Sequence, residues 1–446
     1  MGQTVSAPNI PLEVILNLNS GFINAKDYGA KGDGVSDDTA ALQAAINAAI
    51  TNSCGLQMPL GTYKITSTLN IVDSLHILGC GWKSIIFIAN AANIYAFTFP
   101  GGTAGLSGVQ IDHLKIDCNG ANQSTAGGGI DTNGAYECAF ENLWIHNAWE
   151  AGIKLRNGPV SNNSYGFNNT IRANYIEGGQ NSNGGPGRGI WSSNSDENFI
   201  VDNSFWNNGV GLSDPCHIRD DSGFQLIRGN AFVNGAVGIK CYSDRTRIIG
   251  NTFDGVQGNN VVLVGNKNVI ENNLFSSIGH TSSANTIIGV WIVGTANNIV
   301  SDNYFENDTT VSNATEYFIN LDTGTTNTLV ANNQMVVPSG SVSALINNAG
   351  AASNIIRSNG GYNPSGPLTS PGVPPSGTAI QNAFNADCMV YIAGGTISAI
   401  AIGNSSGSQT ATGITSSAAG ISVFVAAGQY IKLTYTVAPT WTWFGL

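Results

Sequence analysis

With 446 residues, the chain is long enough for a large core and, at about 150 residues per domain, for about three domains. Only 10% of residues are charged and Gly supplies 56 of them, which excludes a Lys-, Glu- and Ala-rich helical protein, while a hydrophobic fraction of 42% excludes a disordered chain. A net charge of -11 and a pI of about 4.7 argue against a general nucleic-acid binder or a protein of anionic membranes.

Residues 1–22 form an N-terminal segment without the basic start and continuous apolar core of a Sec signal peptide. No run approaches the ~18 apolar residues of a membrane span, so no membrane insertion is expected. The chain is therefore expected to stay inside, to leave by another route, or to leave as part of a particle. Its seven cysteines include no CxxC pair, and a zinc site is not expected. They read as buried small hydrophobes, not as a disulfide framework.

A helix is predicted over about 37–50. Asp37 or Asp38 can cap its N-terminus, and Leu42, Ala45, Ile46 and Ala49 form one apolar stripe.

A repeat follows. Asn, any residue and a large apolar residue recur at Asn174–Ile176, Asn203–Phe205, Asn230–Phe232, Asn251–Phe253, Asn273–Phe275, Asn303–Phe305 and Asn333–Met335, with weaker members at Asn142 and Asn359. The spacings run from 21 to 32 residues and average about 27. A Gly followed by an aliphatic residue recurs beside them at Gly129, Gly152, Gly189, Gly238 and Gly289. Each repeat thus holds at least two short strands and no helix, which excludes helical and leucine-rich solenoids. A propeller blade needs about 40–50 residues. What remains is a parallel β-helix over 23–359, one coil per repeat, capped at its N-terminal end by the helix. Asn at the same turn of each coil is expected to adopt the left-handed conformation and to hydrogen-bond to its copies above and below, with Phe and Ile stacking inside.

Strand residues point alternately in and out. After each Gly–aliphatic pair the outward positions read Asp131 and Asn133, Lys154 and Arg156, Trp191 and Ser193, Arg219 and Asp221, then Lys240 and Tyr242. The face then turns apolar at Val262 and Val264, continuing with Trp291 and Val293, then Asn320 and Asp322. Basic and aromatic residues in one stripe suit a sugar polymer. Trp191, Tyr242 and Trp291 can stack on rings, and Lys154 and Arg156 can pair with uronate carboxylates. The plain alternative is a solvated face. Trp144, Trp149, Trp206 and Phe205 fit core or turn stacking.

Residues 360–377 form a Pro/Gly linker, and 378–446 a small β-domain. From Pro364 onward the only charges are Asp387 and Lys432. So uncharged a domain suggests burial between copies of the chain.

The stretch Asp27-Tyr28-Gly29-Ala-Lys-Gly32-Asp33-Gly34-Val-Ser-Asp37-Asp38-Thr39 and the following Pro59-Leu60-Gly61-Thr62-Tyr63 resemble the opening of the pectate-lyase-superfamily β-helix proteins. That group includes glycoside hydrolase family 28-related enzymes, polysaccharide lyases, epimerases and phage tailspikes. The resemblance implies an all-β chain: a right-handed parallel β-helix with an N-terminal capping helix and a small C-terminal β-domain. Val390–Thr396 and Ala438–Trp443 resemble the terminal β-domains of phage β-helix proteins, which implies a homotrimer. The motif is a cap and carries no chemistry.

Chemistry is sought in Asp214-Pro-Cys-His217-Ile-Arg219-Asp220-Asp221 and, one coil on, Lys240-Cys-Tyr242-Ser-Asp244. The catalytic candidates are Asp221, Asp220, Asp244, Lys240, Arg219 and His217; the substrate-binding candidates are Trp191, Tyr242, Lys154, Arg156, Asp131 and Trp291. A hydrolase needs two carboxyls, ~5 Å or ~6.5–9.5 Å apart. A lyase needs a base beside a neutralised carboxylate. Asp220 and Asp221 point to opposite sides of a strand, which makes them a poor dyad. Of the family-28 blocks only Asp-Asp is present, which speaks against a polygalacturonase. The expectation is an enzyme cleaving an acidic extracellular polysaccharide, outside the cell or on a virion, with a non-catalytic glycan-binding fibre or adhesin as the alternative. No cofactor is expected unless the chain is a lyase, for which Ca2+ would serve.

Overall fold

The computed structural model describes residues 21–100, 105–158, 166–178, 186–209, 215–280, 286–308, 315–338, 342–351, 353–363, 366–384, 386–416 and 420–446. Asp214 and nearly all of the segment 1–22 lie outside them. Among the described residues, three long parallel sheets of 13, 12 and 11 strands wind in succession around one axis. Each coil therefore has three strands where the repeat indicated at least two. The fold is all-β, a right-handed parallel β-helix with, among the described residues, one α-helix and small antiparallel sheets at the C-terminal end.

The helix spans Thr39–Thr51 and buries the expected stripe, Leu42, Ala45, Ile46 and Ala49, against the first coils. Asp38 holds the N-cap position without a side-chain cap bond, and the carboxylate of Asp37 before it accepts from Thr39 N at 3.0 Å. Asp38 turns away and accepts from the backbone of Lys31 (2.7 Å) and Gly32 (3.0 Å), tying the preceding loop to the cap.

Two polar ladders register the coils. In the first, each Asn Oδ1 accepts both the N–H and the side-chain amide of the Asn one coil earlier, from Asn174–Asn203 through Asn230, Asn251, Asn273, Asn303 and Asn333 to Asn359, at 2.8–3.1 Å. These Asn residues are buried. The left-handed conformation belongs to the residue before each of them: Ala173, Asp202, Gly229, Gly250, Asn272, Asp302, Asn332 and Ser358 all have φ between 55° and 68°. This corrects the expectation that the ladder Asn itself takes that conformation. Asn142 is one of the left-handed residues (φ 53°), so Leu143 holds the ladder position in its coil.

The second ladder, five residues earlier in each coil, escapes the repeat pattern because its members differ. Asn169 accepts from Cys138 N, Asn198 from Asn169 N, Gln225 from Asn198 N, Asn268 from Thr246 N and Asn298 from Asn268 N. A buried amide that both donates and accepts satisfies the turn's peptide groups without water, so its loss leaves several unpaired groups.

Inside, Phe205, Phe232, Phe253, Phe275 and Phe305 stack with centroids 4.6–5.0 Å apart and planes within 16°. The glycines opposite them are required. A Cβ at Gly189 or Gly238 would stand 2.8 Å from Phe205 or Phe253 and within 2.6 Å of a backbone oxygen. The C-terminal residues form two four-stranded antiparallel sheets around their own core, which includes Cys388, Val390, Ile400, Trp441 and Trp443. These two tryptophans are thus interior side chains of this small domain.

All seven cysteines are free; Cys80 is exposed, Cys54 partly buried and the other five buried. A thiol reagent should therefore label Cys80 first in the native protein and all seven after denaturation; a slow-reacting Cys80 would contradict this. Asn251→Ala removes a ladder rung and should cost about 3 kcal/mol, roughly two buried groups left unpaired. Ala173→Gly relieves a left-handed alanine and should be neutral or stabilise by about 1 kcal/mol. Thermal unfolding of the two variants checks the contrast.

Candidate functional site on the eleven-stranded sheet

The outward column of the eleven-stranded sheet runs Asp131, Lys154, Trp191, Arg219, Lys240, Val262, Trp291, Asn320, each paired in register with the next. This is the order read from the sequence. The inward residue before each aliphatic core residue explains why it holds. Gly129, Gly152, Gly189, Gly238 and Gly289 share one interior column, so the strand can slip neither way without driving a side chain into the Phe stack or, at Gly129 and Gly152, into Ile145 and Ile176.

The polar side chains of this face hold one another. Arg156 clasps Asp131 with both Nε and Nη2 at 2.7 Å. That pairing raises the guanidinium's pKa above its ordinary value. Lys154 Nζ bonds Glu150 at 2.7 Å, and Tyr95 donates its hydroxyl to the same carboxylate at 3.0 Å. Arg219 Nε reaches Asp221 at 2.8 Å, and the Trp191 indole N–H donates to Asp221 at 2.8 Å. Lys154 Nζ lies 4.2 Å and Arg188 Cζ 4.7 Å from the Trp191 ring centre. Arg188 is buried, and desolvation pulls its pKa below the ordinary guanidinium value. Trp191 is therefore the hub of a cation cluster, not a bare platform for a sugar. The open aromatic ring is Tyr242, 41% exposed, with Arg219 Cζ 4.7 Å from its ring centre.

Three sequence candidates move. His217 occupies the interior column of the glycines and is fully buried. One ring nitrogen meets the Asn208 amide at 3.1 Å and the other the Asn234 carbonyl at 2.8 Å. Asp220 also points inward. It accepts from the hydroxyls of Ser243 (2.5 Å) and Thr246 (2.6 Å) and from Ser222 N (3.1 Å). A substrate outside the rod reaches neither, so both leave the catalytic set. Asp244 lies on the turn beyond Tyr242 and accepts from Asn266 N at 2.7 Å on the next coil. Trp291 stands at the apolar end of the column, and its buried N–H meets no acceptor among the described residues. Asp196, in the short strand Ser195–Asp196 after the Trp191 strand, stands outside the stripe that alternation picks out. Burial, then Asp220 and Glu197, raise its carboxyl, the direction a general acid needs.

Among the described residues no three His, Cys, Asp or Glu side chains group to hold a metal. Ca2+ takes about 6–8 oxygen ligands, and the carboxylates of this face are already engaged by Arg, Lys and indole donors. The residues present do not fit a Ca2+ site.

Fold and outward column together define a β-helix protein that presents an elongated polar face. Residues 22–213 match the family described as rhamnogalacturonase A/epimerase, pectate lyase-like. A curated relative, mannuronan C5-epimerase AlgE2 of Azotobacter vinelandii, is 47% identical over 66 residues, 13% of this chain; the match spans 7% of that relative's length. Among solved structures, a variant of the tailspike of E. coli bacteriophage HK620, solved in complex with a pentasaccharide, aligns over 96% of this chain and 94% of its own, with TM-score 0.60 and 12% identity. The ORF18 protein of Geobacillus virus E2 aligns over 98% and 80%, with TM-score 0.55 and 19% identity. Over residues 22–213 the chain is thus similar to the pectate-lyase-like family, and its fold is that of the parallel β-helix proteins.

Burial holds the His217 imidazole's pKa down at about 4. Its folded value lies below its unfolded value of about 6.5, so its contribution is fully present above pH 6.5 and is lost as pH falls toward 4. His217→Asn, the residue that Asn260 places two coils on in the same interior column, should flatten this acid limb of the stability curve. Parallel melting curves of the two proteins between pH 7 and 4 would contradict the assignment.

Proposed function

We infer that the chain binds an acidic polysaccharide along the eleven-stranded sheet and cleaves it as a lyase-type depolymerase on a virion or otherwise outside the cell. One observation carries the reading: Lys154, Trp191, Arg219 and Lys240 stand in one register on four successive coils of an acidic protein. A run of cations at the strand spacing suits a polymer with repeated carboxylates, because each guanidinium or ammonium offers a charge-assisted bond at a fixed interval. The family match and the pentasaccharide held by the HK620 tailspike variant support a glycan ligand.

Elimination is favoured over hydrolysis because the carboxyl pair one coil apart, Asp221 and Asp244, is already engaged: Asp221 accepts from Arg219 and the Trp191 indole, and Asp244 from Asn266 N. Elimination needs a cation against the uronate carboxylate and a base at the adjacent carbon. Arg219 supplies the first and Lys240, its neighbour in register, the second. The alternative, binding without cleavage, is favoured by the mutual saturation of Asp131 with Arg156 and of Asp221 with Arg219.

Incubation with a panel of uronate polymers tests this. The expected outcome is a product with the ultraviolet absorbance of an unsaturated uronate, abolished in Lys240→Ala while binding persists. Reducing ends without that absorbance would point to a hydrolase, and binding without products to an adhesin. Charge-poor residues 364–446 and their exposed Tyr391, Phe424 and Val437 support a homotrimer. Light scattering should give three times 46.3 kDa; a monomer mass would contradict this.

A further inference from the structure

The twelve-stranded sheet carries a second band of chemistry, away from the cation column. Lys115, Trp144 and Tyr175 pair in register on three successive coils. Beside them, two residues on, run Asp117, His146, Glu177 and Trp206, again in register. Trp144 and Trp206, which suggested core or turn stacking, are thus on the outside. Trp82, from the turn between the strands His76–Gly79 and Ser84–Ile88, leans over the same band. Its ring centre lies 5.3 Å from Trp144 and 6.2 Å from Tyr175, the latter tilted by only 31°.

Trp82 is 49% and Trp206 39% exposed. Trp144 is backed by Lys115, whose Nζ is 3.9 Å from the ring centre, so the aromatic floor is fixed from one side. Glu177 stands at the rim. It takes the Trp144 indole N–H at 3.2 Å, and its carboxylate is 3.4 Å from His146 Nδ1. His146 Nε2 is in turn 2.6 Å from the Asn147 amide. Half-exposed indoles beside an oriented carboxylate and imidazole are poor partners for an apolar surface, because docking would desolvate Glu177 without a counter-charge. They suit a ring with one apolar face and a rim of hydroxyls, which indole faces stack on and carboxylates bond. The charges here, Lys115 against Asp117 and Glu177, leave no surplus cation to meet a uronate.

We propose that Trp82, Tyr175 and Trp206 form a second saccharide site, for neutral hexopyranose rings, on the twelve-stranded sheet. This site is distinct from the acidic-polymer groove, and its failure is separable from that reading. Glu177 and His146 orient the ring's hydroxyls and carry no catalytic role.

The test is a titration of the full-length protein with neutral oligosaccharides of glucose, galactose, mannose and rhamnose, followed by tryptophan fluorescence and calorimetry. A uronate oligomer is titrated in parallel. At least one neutral series should bind. Trp82→Ala should weaken that binding tenfold or more while leaving the uronate titration and the melting temperature unchanged. Glu177→Gln should weaken it as well, which a purely structural indole cluster would not require. Absence of heat or fluorescence change with every neutral series at millimolar concentration would overturn the site. So would unchanged affinity in Trp82→Ala, or a uronate affinity that falls in step with the neutral one.

Discussion

The structure depends on one constraint: each turn of the rod must satisfy its peptide groups without water. The buried Asn ladder does this by letting one side chain accept from the coil before and donate to the coil after. Because every rung has the same partner geometry, successive coils cannot rotate relative to one another. The Phe stack and its glycine column then fit, and outward residues fall into straight columns. Site geometry on the surface is thus a consequence of hydrogen bonding in the interior.

That coupling explains how charge can be concentrated on an otherwise charge-poor chain. Lys154, Arg188 and Arg219 gather around Trp191 and Asp221 at a fixed strand spacing. Like charges held this close would repel on a mobile loop. Here the indole face and the carboxylate lie between them, and the rigid sheet bears the remaining cost. A ligand with regularly spaced anions meets a surface already organised, so little ordering entropy opposes its binding.

Much of this is legible in the sequence because two periodicities coincide. The Gly–aliphatic pair marks the strand entering the eleven-stranded sheet, and period-2 alternation then places Lys154, Trp191, Arg219 and Lys240 outward. Other features carry no comparable signal. The second ladder mixes Asn, Gln and Thr, so no single letter recurs. The left-handed residue varies from Ala173 to Ser358, and only its neighbour is constant. His217 reads as a site residue because it stands between Arg219 and a gap in the glycine column, whose interior position emerges only from the strand register. Trp144 reads as inward because Asn142 aligns with the ladder letter, whereas Leu143 holds the ladder position and Trp144 falls one place outward; Trp206 follows the inward Phe205 and so faces out. Ion pairs such as Arg156 with Asp131 join residues on different coils, which alternation along one strand does not reveal.

The central claim is that an acidic polymer lies along the cation column. A crystal structure of the full-length protein with a bound uronate oligosaccharide tests it most directly. The account predicts sugar carboxylates within hydrogen-bond distance of Lys154 and Arg219, with Lys240 against the ring carbon next to the carboxylate that Arg219 holds and a ring against Tyr242. An oligosaccharide seated elsewhere, with this column still in contact only with its own carboxylates, would contradict it.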